Sequence, residues 1–129
     1  MKNYKELRVW QHGLEIVAAV YSLARQLPRE EIYGLRSQMT RAAVSIPSNI
    51  AEGSSGSSEN ECRHFLKIAL GSCFEPDTQL IVAINTELIA LPPDSPLPSL
   101  LEEEIKMLHS FIGRLSPRKA NSQQPSANS

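Results

Sequence analysis

Aromatic side chains are scarce in this sequence: three Phe, three Tyr and one Trp in 129 residues. A core cannot be built on rings, so aliphatic packing must carry it, which leans towards helices. Long apolar runs are also missing. No stretch approaches the ~20 apolar residues that a membrane span requires. The opening MKNYKELRVWQHG has neither the apolar core nor the small-residue cleavage site of a secretory signal. A cytoplasmic location and no membrane partner are therefore expected. Cysteine is limited to Cys62 and Cys73. On one helix their spacing holds the Cα atoms ~16 Å apart, far beyond disulfide reach, so both are expected as free thiols. Net charge is small, formally −1. A hydrophobic content of 41% with 21% charged residues excludes collagen, a wholly disordered chain and a disulfide scaffold. The length suits one domain.

What is present is helical periodicity, with no convincing strand and no internal repeat. A first helix, about Lys5 to Gln26, carries two adjacent apolar stripes. One is Leu7, Trp10, Leu14, Val17, Tyr21 and Ala24. The other is Val9, Ile16, Val20, Leu23 and Leu27. Arg8, Gln11, His12, Glu15, Ser22, Arg25 and Gln26 occupy the opposite arc. This apolar face is wider than the ~100° stripe of a simple surface helix; one stripe can fill a monomer's core, and the second points to a neighbouring subunit or, alternatively, to a more enclosed position of the helix within the monomer. Pro28 ends the helix. A second begins near Glu30–Ile32 and runs through Met39, Ala43, Ile46 and Ile50, with Pro47 inside it and Gly53–Ser58 breaking it. A third starts on a serine N-cap, Ser57 or Ser58, and keeps one apolar phase across Pro76 to about Ile89. After the proline-rich turn Leu91–Pro98, a last helix runs to Leu115. Residues 116–129 are polar and read as a disordered tail. Short connections between four amphipathic helices predict an all-α, up-down-up-down antiparallel four-helix bundle over residues 1–115.

The residues give little support for catalysis. His12, His64 and His109 fall on three different helices, none with a His or Cys partner at three or four residues. No zinc site, cofactor or nucleophile arrangement is implied, and Glu102 to Glu104 read as solvated charges. Arg41, Ser45, Asn49 and Glu52 recur at spacings that place them on one helix face. They fit a polar network in which Glu52 or Glu75 neutralises Arg41 while Ser45 and Asn49 bond around Pro47. The competing reading has Arg41 reaching a phosphate.

The stretch IYGLRSQMTRAAVSIPSNIAEG, residues 32–53, resembles the signature of the bacterial four helix bundle proteins, also called 23S rRNA-intervening sequence proteins. LRVW at residues 7–10 and ECRHFLKIALGS at residues 61–72 support the resemblance. It implies a left-handed bundle assembling as a ring-like homopentamer, with no enzymatic activity. In a related branch it implies association with nucleic acid and a reverse transcriptase. One departure is Pro76, which stands where the family commonly continues its helix unbroken. The other is charge. Nucleic-acid-binding relatives are often basic, whereas residues 1–72 hold nine basic and seven acidic side chains, and residues 73–129 four and seven. Lys2, Lys5 and Arg8, with Arg63 and Lys67, form a modest candidate contact cluster that a pentamer would multiply. The expected function is a non-enzymatic oligomeric helical protein, a weak RNA or DNA binder or accessory. A protein-interaction scaffold with no nucleic-acid contact is the alternative.

Overall fold

Local sequence signals place most of the helix ends in the computed structural model, which describes residues 3–115. The helices are α1 (Arg8–Ala24), α2 (Leu35–Ser54), α3 (Glu59–Asn85) and α4 (Leu97–Leu115), with single 3₁₀ turns at Tyr4–Glu6 and Arg29–Glu31. Ser58 is the N-cap of α3: its Oγ accepts the Glu61 amide at 3.1 Å. Glu61 returns a carboxylate oxygen to the Ser57 amide at 2.9 Å. These reciprocal bonds satisfy amides that a helix start leaves orphaned. Before α2 the predicted helix start at Glu30–Ile32 is a 3₁₀ turn instead. The regular helix waits until Leu35, whose amide donates to Glu31 Oε1 at 3.0 Å. Likewise α1 begins at Arg8 rather than Lys5, and α3 ends at Asn85 rather than Ile89.

Both prolines stay inside their helices, Pro47 in α2 and Pro76 in α3. A proline in a helix interior costs ~3 kcal/mol in propensity. Both side chains are buried, and tertiary packing offsets that cost. The long α3 therefore runs on through Pro76, as its apolar phase predicts.

The C-terminus of α3 closes with a Schellman motif. The Leu88 amide donates to the Ala83 carbonyl at 2.8 Å, and the Glu87 amide to the Ile84 carbonyl at 3.0 Å. Glu87 takes the left-handed position with φ 62°, where glycine is the usual residue.

Contacts run α1 on α2, α2 on α3, α3 on α4 and α4 back on α1. Residue pairings make each neighbouring pair antiparallel. Arg36, early in α2, bonds the carbonyl of Ala24 at the end of α1. Gly53, at the end of α2, lies against Cys62 and Phe65 near the start of α3. The end of α4, at Phe111, shares one groove with Glu59 and Cys62 of α3 and another with Leu7 and Arg8 at the start of α1. The core is aliphatic, as the shortage of aromatics requires: Ile16 and Val20 from α1, Met39, Ile46 and Ile50 from α2, Leu66 and Cys73 from α3, Leu97, Leu101 and Leu108 from α4. Truncating any one large member to alanine costs about 2–5 kcal/mol. Of the two stripes on α1, the one carrying Ile16 and Val20 is buried. The other remains partly open, with Leu14 43% and Tyr21 42% exposed. Residues 1–2, including Lys2, and the predicted tail at 116–129 lie outside the described residues.

Replacing Glu87 by glycine removes the steric cost of a left-handed side chain, roughly 1–2 kcal/mol. Glu87→Gly should raise the melting temperature by a few degrees in a thermal scan; an unchanged or lower value would show that the carboxylate has a compensating role.

Candidate functional site

The polar network on α2 is smaller than its sequence spacing suggests. Asn49 Nδ2 donates to the Ser45 carbonyl at 2.8 Å and to Ser45 Oγ at 2.9 Å. Ser45 Oγ in turn pairs with Ser72 Oγ at 2.9 Å. The carbonyl that Pro47 deprives of its helical donor is that of Ala43, one turn back, and these side-chain bonds do not reach it. Arg41, Glu52 and Glu75 lie outside this network, all exposed. The antiparallel register set by Ser45 and Ser72 brings Arg41 level with Glu75, yet Arg41 makes no ion pair among the described residues.

The basic residues do not form one patch. Lys5 and Arg8 lie at the start of α1, Lys5 with its Nζ 5.9 Å from the Tyr4 ring centroid. Arg63 and Lys67 lie on α3, diagonally across the same end of the bundle. Arg63 is half-buried and donates to Asn60 Oδ1 at 2.8 Å. The acids Glu59 and Glu61 start the same helix. Arg114 joins Arg8 instead, where both line the groove between α1 and α4.

The most unusual chemistry is one that periodicity conceals. His12, expected on the solvated arc of α1, is buried, and Glu104, expected in solvent, is 0% exposed. His12 Nδ1 lies 3.0 Å from Glu104 Oε1, and Nε2 lies 2.9 Å from Glu103 Oε1. The residue opposite is Gly13. A Cβ there would meet Glu104 Oε2 at 3.3 Å and Ile46 and Pro47 at 3.5 Å, so the glycine is what makes room for the carboxyl. The signal for Glu104 was present in the sequence. It falls in phase with Leu97, Leu101 and Leu108, at core spacing, and its neighbours Glu102 and Glu103 masked it.

Burial pushes the Glu104 carboxyl up to about 8. A Glu104 carboxyl that keeps its proton can donate to His12 Nδ1, which leaves the ring's Nε2–H to donate to Glu103 Oε1. Glu104 Oε2 has no hydrogen-bond partner, which an ionised carboxylate could not tolerate as cheaply as a neutral acid. The arrangement ties α1 to α4. The one thiol near it, Cys73, is pushed up to about 12 by burial and then by the Glu104 charge, which disfavours the reactive thiolate. Among the described residues no three His, Cys, Asp or Glu side chains gather as a metal site, and no helix is long and apolar enough to cross a membrane. His64 and His109 are exposed, and His64 meets the Phe65 ring edge-on at 5.2 Å.

Two measurements follow. A carboxyl whose folded pKa is raised gives stability that is fully present below the unfolded value near 4.5 and is lost as pH rises through about 8. Glu104→Gln keeps the shape and stays neutral. In urea titrations it should remove that decline and exceed the parent protein at pH 9; an unchanged pH slope would exclude a protonated Glu104. Arg41→Ala should shift stability by no more than ~0.5 kcal/mol, as for other exposed side chains. A loss of several kcal/mol would reveal a partner for Arg41 across a subunit contact.

Comparison with known proteins gives one assignment. A family model described as 23S rRNA-intervening sequence protein matches residues 5–110, nearly the whole described bundle. No curated protein matches the chain.

Proposed function

Since the chain belongs to the 23S rRNA-intervening sequence protein family, we propose that it is a non-enzymatic, self-assembling helical protein that acts as an RNA-binding accessory in the cytoplasm. The observation that carries the assembly half is the open stripe on α1. Leu14 is exposed, and Trp10 and Val17 on either side of it are only partly covered. Leaving such a stripe in water forfeits about 25 cal/mol for each Å² that a neighbour could cover. A closed ring joins two different surfaces of each subunit. The chain carries a second apolar patch suited to that role, Phe74 and Ile81 on α3, each about half exposed. This pairing favours a closed ring over a two-fold dimer, which would join one patch to itself; the family resemblance makes that ring a homopentamer.

The RNA half rests on the family's name and on arginines free to meet phosphate. For the Arg63 and Lys67 end, the intervening Glu59 and Glu61 favour the second reading. There the ring holds a protein partner, such as a reverse transcriptase, without touching nucleic acid.

Light scattering coupled to size exclusion should report a multiple of 14.3 kDa at micromolar concentration. Leu14→Glu, which places a charge in the stripe, should return the mass towards one subunit with the helical circular dichroism intact. A monomeric parent protein would overturn the assembly.

A further inference from the structure

At the end of the bundle away from Lys5 and Arg63, the outer edge of the α1–α2 pair opens into a cleft of about 410 Å³. That lies within the ~300–1,000 Å³ of small-ligand sites. Tyr21 and Arg25, one helical turn apart, line it from α1. Tyr33, Arg36, Ser37 and Thr40 line it from the approach to α2 and its first turns.

Three properties distinguish it from ordinary surface. Its aromatic faces are open: Tyr33 is 95% exposed, and Tyr21 is also exposed. Its arginines are available. Arg36 Nε donates to the Ala24 carbonyl at 3.1 Å, which fixes the plane of the guanidinium and leaves its terminal nitrogens unbonded among the described residues. Arg25 is exposed and has no ion pair among the described residues. Finally, no carboxylate lines the cleft. Of the neighbouring acids Glu30 and Glu31, the second is turned to the Leu35 amide. The Thr40 hydroxyl is spent on the Arg36 carbonyl at 2.9 Å, so it shapes the wall, while the Ser37 hydroxyl faces no such competitor.

We propose that this cleft is a binding site for single-stranded RNA, with Tyr21 and Tyr33 stacking on bases and Arg25 and Arg36 holding the phosphates between them. A guanidinium fork matches two phosphate oxygens at once, and one already held in plane loses less freedom on binding. A tyrosine face accepts any base, which gives affinity without sequence preference. An acidic peptide would meet the arginines equally well. The two open tyrosine faces on separate elements are what select a chain of unstacked bases. This assignment rests on the RNA reading above and moves the contact away from the lysine end.

The test uses the full chain and a fluorescein-labelled, single-stranded ten-nucleotide oligouridylate, followed by anisotropy at several salt concentrations. Tyr33→Ala should weaken binding about tenfold, as loss of one stacked base does. Tyr33→Phe should bind as the parent does, because the ring rather than the hydroxyl is used. Arg25→Gln should weaken binding and lower the salt slope by about one, while Lys5→Ala and Lys67→Ala should change little. Losses confined to the lysine variants would overturn the cleft and leave the RNA reading standing. Absence of salt-dependent binding by the parent protein would overturn both. A changed light-scattering mass for Tyr33→Ala with unaltered RNA affinity would assign the cleft to a contact between copies instead.

Discussion

The close approach of α2 to α3 is the constraint on which the other packing depends. A four-residue link, 55–58, joins the two helices. Gly53 lies so near α3 that a Cβ would stand 3.1 Å from the Cys62 carbonyl and the Phe65 Cβ. The serine pair Ser45 and Ser72 bonds two turns further along. Small residues at these positions let two proline-bearing helices share one long seam. With that side of α2 committed to α3, only its other side is left for α1. The stripe of α1 that carries Val20 then enters the core, and the stripe that carries Leu14 is left at the rim. The open surface is thus a result of how the hairpin packs as well as of composition.

Much of this was legible from residue spacing. Four helices, the serine cap at Ser58 and the continuity of α3 through Pro76 all follow from apolar phase and turn chemistry. The split of α1 into an inner and an outer stripe also follows, although spacing alone could not say which would be inner. What spacing concealed was the buried acid. Three glutamates in a row read as solvated, and a histidine at the edge of the polar arc reads as exposed. Only the partner helix reveals that Gly13 vacates a space for Glu104. The Arg41 row illustrates the converse error. Residues sharing a helix face need not share a network, because Ser45 and Asn49 turn to the α3 seam while Arg41 and Glu52 remain outside it.

The interaction surfaces and the buried acid are physically separate. Leu14 on the outer stripe of α1, and Phe74 and Ile81 on α3, are exposed apolar surface on the flanks of the bundle. The arginine–tyrosine cleft lies at one end, and the His12–Glu104 pair is buried inside, away from both. A change in assembly therefore need not disturb the acid, and a ligand in the cleft meets neither Glu103 nor Glu104.

The two thiols on α3 give this fold an internal clock. Cys62 and Cys73 are buried, and burial raises both thiols above their ordinary value, Cys73 to about 12. Only thiolate reacts quickly with an alkylating reagent, so packed helices slow the modification of both sulfurs. Cys62, within the first turn of α3, is uncovered by fraying of that end, whereas Cys73 is uncovered only when the middle of the bundle separates. The ratio of the two alkylation rates therefore reads local breathing against global opening in a single sample, with no cysteine added to the sequence.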